Sequence, residues 1–403
     1  MNWITCQIGA REHYAVPRAL AASEAAITLV TDYWAGHFRW LLPRRLRERV
    51  HDDIERDCVR SFNTRFLRGE LSSTLAGKRG WDAILARNEW FQKYASDVVR
   101  ALVRQSPEPP VVFAYSYAAE AILEVARDAG CPTVLGQIDP GPAEWRIVDQ
   151  LAQREGVNSS DRPPRTYWDN WRRECDVCDI ILVNSDWSRE GLREEGVNAD
   201  KIRVVPLAYD SLVASRPAAP GVAEHFTSQN RLKVLFLGQI ILRKGLVELA
   251  EAATRLKDEP IDWIIVGGGD SWLLDHLSGC PNCRVVGPVP RANAASFYRS
   301  ADLFILPTHS DGYALTQLEA AAFGLPIVAS RHCGSVVKDG VNGLLLSEVS
   351  ADAICNAMFT VLGSPGLLAQ MAVEQRAMPL RGINALGNDL LRIGQELGVA
   401  EAC

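Results

Sequence analysis

From Arg231 onward, short apolar runs rich in β-branched residues alternate with stretches of helical period. The runs are "KVLFLG", "DWIIVGGG", "CRVVG" and "DLFILP", and between them lie "LVELAEAATRL", "SWLLDHL" and "ANAASFYRS". Runs of this kind, separated by helical patterns of about 10–15 residues, predict βαβ units around a parallel sheet. The first half repeats the plan less cleanly. Its strands are "WITCQIG", "AITLVTD", "PVVFAYS", "PTVLGQI", "DIILVNS" and "KIRVVPL", with a long helical insertion at about residues 38–104 between the second and third. Residues 216–230, with prolines and small or polar side chains, read as a linker. The predicted fold is α/β: two Rossmann-like doubly wound domains, residues 1–215 and 231–375, facing a cleft. Ligands of such domains bind at the carboxyl ends of the parallel strands. After "GLLL" the pattern is mostly helical, and residues 376–403 are expected as a helical tail, with packing back onto the first domain as one option.

Composition narrows the partners. The 403 residues are 47% hydrophobic and 23% charged, ordinary for a globular protein, and the net charge of -6 argues against nucleic acid as a partner. The ten cysteines include two C-x-x-C pairs, Cys175/Cys178 and Cys280/Cys283. Their wide separation favours reduced structural thiols over a zinc site. "MNWITCQIGAREHYAV" has no basic n-region and is broken at Arg11, so no signal peptide is expected, and no run reaches the roughly 18 apolar residues of a membrane span. A cytoplasmic protein is expected, with the inner face of a membrane as an option.

The chemistry concentrates in "HSDGYALTQLEAAAFGLPIVAS", His309 to Ser330. A strand ends at Pro307, and a helix should start near Ala314 and stop at Gly324 and Pro326. Gly312 sits in the turn where the strand hands over to a helix N-terminus, whose free N–H groups and dipole suit phosphate. Leu315, Leu318 and Ala322 share one helical face, and Glu319 falls in the same stripe. An acid there needs a partner: either a structural pair or backbone cap, or the hydroxyls of a ligand. Asp311 likewise reads as an N-cap or as a site residue. In "FLGQIILRKG", Gly238 closes a strand and Arg243-Lys244-Gly245 opens a helix; a guanidinium fork and a compact ammonium serve phosphate recognition, the alternative being a solvated basic pair. Gly267 to Gly269 do not form G-x-G-x-x-G, and structural and ligand roles both stay open for them.

These residues, in this order, resemble the retaining glycosyltransferases of the GT-B group known as family 4 (glycosyl transferases group 1). The strongest match is D-G-Y-A-L-x-x-L-E-A-x-A-x-G-L-P-I-V-A-S, which looks like the family's E-G-F-G-L-x-x-L-E-A-x-A-x-G-x-P-V-V-A-S; seven residues separate Asp311 from Glu319, as in its E-x7-E segment. "CDIILVNSDWSREGLREEGVNADKIRVVPLAYD", "ADLFILPTHSDGY", "GSVVKDGVNGLLL" and the G-x5-K-G of "FLGQIILRKG" extend the similarity over about Cys178 to Leu346, and the first 170 residues follow it only in outline. The resemblance implies a UDP- or GDP-sugar as co-substrate, with no separate cofactor. It implies that Glu319 holds the ribose hydroxyls, that Arg243 and Lys244 meet the pyrophosphate, and that Gly238 and Gln239 border the donor. Amides around Gly312, Tyr313, Ala314, Leu315 and Thr316 would meet phosphate and sugar, Asp311 would lie beside the transferred sugar, and Val289 near the base. Arg243, Lys244 and the helix N-terminus would stabilise the departing phosphate without a metal ion. Three positions depart from the pattern: Asp311 for glutamate, Ala314 for glycine, and no match for the family's histidine after the third strand, where "FAYSYAAE" offers Tyr115, Ser116 and Tyr117.

On the acceptor side the loop Gly9 to Tyr14 presents Gly9, Ala10 and His13, and "GQIDPGPAEW" presents Asp139 and Glu144, either of which can accept from an acceptor hydroxyl. The acceptor class is a glycan, a lipid-linked or a small-molecule glycoconjugate, as in polysaccharide biosynthesis. "FRWLLPRRLRERV" and "VRSFNTRFLRG" mix arginines with apolar residues, which reads as a solvated helix on the first domain or as a peripheral membrane contact. Two alternatives to transfer are a nucleotide-sugar 2-epimerase on the same fold and a nucleotide-sugar-binding protein with weakened catalysis.

Overall fold

A computed structural model describes residues 1–36, 42–75, 77–157, 162–209 and 225–400; most of the expected linker lies outside them. The first domain holds strands β1 (Asn2–Gln7), β2 (Ala26–Thr31), β3 (Val59–Ser61), β4 (Val111–Tyr115), β5 (Thr133–Gln137), β6 (Ile180–Val183) and β7 (Ile202–Val204). The second holds β8 (Leu232–Leu237), β9 (Ile261–Val266), β10 (Cys283–Gly287), β11 (Leu303–Leu306), β12 (Ile327–Ala329) and β13 (Gly343–Leu345). Every residue of β4, β5, β6, β11 and β12 is buried. Strands covered on both faces read as unbroken apolar runs, which is why β4, β5, β6 and β11 are visible in the sequence, whereas the three residues of β12 are not among the expected strands.

Both sheets are parallel, with orders β3-β2-β1-β4-β5-β6-β7 and β10-β9-β8-β11-β12-β13. The two-domain doubly wound fold is therefore as expected. Strand order reverses between β1 and β4 and between β8 and β11, and the crevice at such a switch point is where this architecture binds ligands. The loops after β8 and β11 carry Arg243, Lys244 and Asp311, so the topology alone brings these residues together.

The insertion differs from the expectation. It contains the helices Arg44–Arg47, Asn63–Leu75 and Gly80–Gln105, but also β3, which pairs with β2 at the sheet edge; three residues are too few to show a period of two. The basic stretch from Phe38 does not form a long amphipathic helix over its described part. Residues 37–41 lie outside the description, Pro43 precedes the single turn Arg44–Arg47, and Arg49 turns inward to the buried carboxylate of Asp32 at 2.6 Å. No single described helix is long and apolar enough to cross a membrane.

The helix Ile383–Ala400 lies on the helix Ala15–Ala22, where Leu386, Leu390, Ile393 and Leu397 join Trp3, Val16 and Leu20 in one cluster. Tyr209 N–H donates to the Arg381 carbonyl at 2.7 Å and Arg381 Nε to the Pro206 carbonyl at 2.9 Å, so the chain's return is tied to the end of the first domain. The nine described cysteines are free thiols, with Cys175 and Cys178 buried at the end of the helix Arg165–Val177.

Candidate active site

The second domain supplies two loops. After β8 the chain makes one 3-10 turn, Leu242–Lys244, and enters the helix Leu246–Arg255. After β11 it runs from Pro307 to Ala314 into the helix Leu315–Ala322. Hydrogen bonds lock the loops together: His309 N–H donates to the Arg243 carbonyl at 2.7 Å, Thr308 Oγ1 to the same carbonyl at 2.9 Å, and an Arg243 guanidinium N–H to the Ser310 carbonyl at 2.7 Å. Lys244 Nζ pairs directly with Asp311, and Arg243 stands 3.6 Å from the same oxygen. The other oxygen of Asp311 accepts from the amides of Tyr313 and Ala314, at 3.3 and 3.1 Å. Asp311 thus both caps backbone amides and pairs with the cations. Burial alone would raise its pKa, but the Lys244 and Arg243 charges and the hydrogen bonds hold it below the ordinary carboxylate value.

Ala314, which precedes that helix, has φ +66°. This is the left-handed region, which costs a residue with a Cβ roughly 1–2 kcal/mol. Ala314→Gly gives up part of that gain to the larger entropy of an unfolded glycine. The variant should be more stable by about 0.5–1 kcal/mol, read as a higher denaturation midpoint in urea at unchanged slope.

Glu319, half-buried in the helix, accepts from Tyr298 Oη at 2.7 Å. Burial and the neighbouring Glu319 carboxylate push the Tyr298 phenol well above its ordinary pKa, so it remains a neutral donor. The acid on an apolar stripe therefore has the Tyr298 hydroxyl among its partners. Leu315 borders a cluster with Tyr313 and Leu318, the Thr316 carbonyl accepts from Tyr298 at 3.4 Å, and Val289 packs at the rim of the second-domain core. Gln239 is exposed beyond β8. A Cβ on Gly267 would stand 1.8 Å from the Gly238 carbonyl oxygen, and one on Gly269 2.0 Å from that of Ile240. The three-glycine run thus serves close backbone approach beside β8.

The first domain meets these loops directly. Ser185 Oγ donates to the Gly312 carbonyl at 2.6 Å, and a Cβ on Gly312 would come within 1.9 Å of the Ile138 carbonyl oxygen. Trp187 Nε1 donates to Ser310 Oγ at 3.0 Å, and Ser310 Oγ donates to Glu144 at 2.8 Å. Glu144, in the first turn of the helix Pro142–Arg154, also stands 3.5 Å from Arg243. Burial pushes its carboxyl up to about 7 against the pull of Arg243. Asp139 accepts on one oxygen from Tyr117 Oη, from Gln137 Nε2 at 3.0 Å and from the Gly141 amide at 2.8 Å. Tyr117 itself has φ +75°, and its amide donates to the buried Glu174 at 2.7 Å, as does that of Ala119.

Burial raises the Glu174 carboxyl to about 8 from its ordinary 4.5, although those amides pull the other way. A carboxyl raised on folding stabilises fully below its unfolded pKa and loses that contribution as pH rises through its folded one. Stability should therefore fall between about pH 4.5 and about pH 8, and Glu174→Gln should flatten that fall. The difference in melting temperature between the two proteins across this window checks the sign.

After β1 the first-domain loop holds three consecutive residues at positive φ: Glu12 (50°), His13 (54°) and Tyr14 (60°). Side chains rarely adopt this region, and such strain gathers at functional sites. The loop turns Glu12 inward, where its carboxylate accepts from Tyr115 Oη at 2.8 Å and Asn184 Nδ2 at 3.4 Å. Sequence reasoning selected His13 and passed over Glu12, and nothing in the spacing separates them. Gly9 donates to Asp32 at 2.8 Å, and Ala10 packs beside Tyr14 and Trp34. Gly9, Ala10, His13 and Tyr115 do not line the cleft cavity, which measures about 380 Å³; Asp139, Glu144 and Arg243 do, along with Asp270 and a set of aromatic rings.

Comparison with known proteins bears on the second half. Residues 231–364 match the family model described as glycosyl transferases group 1. The matched stretch lies within the second domain. That domain contains Arg243, Lys244, Asp311 and Glu319. The chain is 29% identical over 220 residues to a D-inositol 3-phosphate glycosyltransferase of Xylanimonas cellulosilytica, an alignment covering 50% of this chain and 52% of the relative; it thus spans about half the length of the curated relatives it matches. Among solved structures, sucrose-phosphate synthase from Thermosynechococcus elongatus superposes with a TM-score of 0.69 at 15% identity, covering 99% of this chain and 100% of that one. Anabaena HepE in complex with UDP superposes with a TM-score of 0.63 at 15% identity, covering 98% and 100%. At such identities the structural likeness speaks for the fold, and the GT-B arrangement spans both domains.

Proposed function

We propose that the chain is a retaining, metal-independent glycosyltransferase that moves a sugar from a nucleotide-sugar donor to a hydroxyl acceptor in the interdomain cleft. The observation that carries this is the convergence of Arg243, Lys244 and Asp311 at the β8/β11 switch point of the second domain. Transfer leaves negative charge on the departing diphosphate, and preorganised cations at that point lower the barrier most. Both cations are paired with carboxylates, so a bound diphosphate competes with Glu144 for Arg243. Lys244 remains against Asp311, which stands beside the transferred sugar. Glu319, oriented by Tyr298, accepts the ribose hydroxyls. The acceptor attacks on the face the diphosphate leaves, with a phosphate oxygen taking its proton and Asp139 or Glu144 orienting the hydroxyl. HepE, solved with UDP, is a reason to try UDP-sugars first, with GDP-sugars second.

Thermal melts with UDP, GDP, ADP and dTDP test the donor pocket. A nucleotide at about 100 times its dissociation constant adds roughly 2.7 kcal/mol of stability. One nucleotide should raise the melting temperature of the wild-type protein, and Glu319→Ala should lose that rise. Melts unmoved by all four would contradict the reading.

A further inference from the structure

The first-domain wall of the cleft cavity is aromatic. Tyr117 and Tyr167 stack with ring centroids 4.8 Å apart and planes 15° apart. Trp81, at the start of the long helix of the insertion, and Trp168 meet Tyr167 edge-on at 4.8 and 4.9 Å. Trp145 lines the same cavity. Rings held by other rings present a platform that needs little ordering when a ligand arrives.

The charged groups around this platform are mostly of one sign. Asp139, Glu144 and Asp270 line the cavity, against one cation among the described lining residues, Arg243. That guanidinium is already shared between Glu144 at 3.5 Å and Asp311 at 3.6 Å. The half-buried carboxylate of Asp270 makes no hydrogen bond or ion pair among the described residues, and burial raises its pKa. Arg11 is close by but lies over the Tyr115 ring, 5.5 Å from its centroid, outside the cavity lining.

These features select among acceptors. The C–H face of a ring polyol packs on the electron-rich faces of Trp and Tyr, and its hydroxyls find carboxylate acceptors. An ammonium gains from both the rings and the carboxylates. A phosphate would face three carboxylates, with its only cation committed to the donor's diphosphate. We propose that the acceptor is a cyclic polyol bearing no anionic group, and that an amino substituent on it pairs with Asp270. The proposal rests on the transferase reading and sets this cleft apart from the phosphorylated acceptor in the relatives' name.

Tryptophan emission of the full chain, titrated with glucose, glucosamine, glucose 6-phosphate, myo-inositol and myo-inositol 1-phosphate, tests it. Glucosamine should bind more tightly than glucose, and each phosphorylated ring at least about tenfold more weakly than its parent, a difference of about 1.4 kcal/mol. Asp270→Asn, a change at a half-buried helix entrance, should erase the advantage of glucosamine over glucose. A phosphorylated ring that binds as well as its parent would overturn the proposal. So would an advantage of glucosamine that survives Asp270→Asn, or no response to any uncharged or aminated ring below about 100 mM, beyond the weakest affinities of specific recognition. The nucleotide melts keep the two readings apart. A nucleotide shift alongside tight binding of phosphorylated rings sinks the acceptor proposal alone, whereas no nucleotide shift sinks the transferase reading, and the ring preferences still report the charge of the cleft.

Discussion

Lys244→Ala should lose about 10²–10³-fold in transfer, the loss expected when one preorganised donor to a developing anion is removed. It should also destabilise the chain. Lys244 is 8% exposed and pairs with the buried Asp311, whose remaining partners are Arg243 at 3.6 Å and two backbone amides. Breaking a buried pair from one side costs about 3–5 kcal/mol, and the residual partners place this case at the lower end. Asp311→Asn with Lys244 intact separates the two effects: the ammonium stays available to phosphate while its neutralising partner is gone. Nucleotide affinity should then be retained or rise. Urea denaturation and nucleotide titration of the two variants side by side check both halves, and a Lys244→Ala protein with wild-type stability would mean that the pair does not form.

Gly312→Ala should separate binding from turnover. Its new Cβ would lie 1.9 Å from the Ile138 carbonyl oxygen, across the domain interface, in a place where neither backbone has a side chain to move aside. The loop must withdraw, and with it the Gly312 carbonyl that accepts from Ser185. Arg243, Lys244 and Glu319 all belong to the second domain, so nucleotide affinity should change by no more than about twofold. Turnover should fall by about 10²-fold, the cost of displacing reacting groups by roughly 1 Å. Isothermal titration with the nucleotide, followed by steady-state rates, reads the two quantities separately; equal losses in both would place Gly312 in the donor pocket itself.

How much of this was legible in the sequence depended on distance along the chain. Buried parallel strands such as β4 and β11 announce themselves because both faces are apolar, whereas β3 has three residues and announces nothing. Asp311 and Glu319 were legible because a short turn and one helix hold their spacing. The pairing of Lys244 with Asp311 spans 67 residues and follows only from the strand order that sets β8 beside β11. Tyr298 could not be linked to Glu319, since the helix that carries it is separated from Glu319 by β11. Glu12 was hidden for a different reason. Three left-handed residues in a row turn it inward, and no residue type in "REHY" signals such a turn. The aromatic wall escaped notice because Trp81, Tyr117 and Tyr167 come from three segments that only the folded first domain assembles.

The proposed transfer of a sugar from a nucleotide to a hydroxyl depends on Arg243 and Lys244. The most direct measurement is release of free nucleoside diphosphate from UDP- and GDP-sugars by wild-type and Lys244→Ala protein, with glucosamine or myo-inositol present and the product's anomeric configuration read by NMR. Release from one donor, dependent on acceptor and on Lys244, with the configuration retained, is the predicted result. A donor that is bound but returned intact, or returned as its epimer without release of nucleotide, would contradict it.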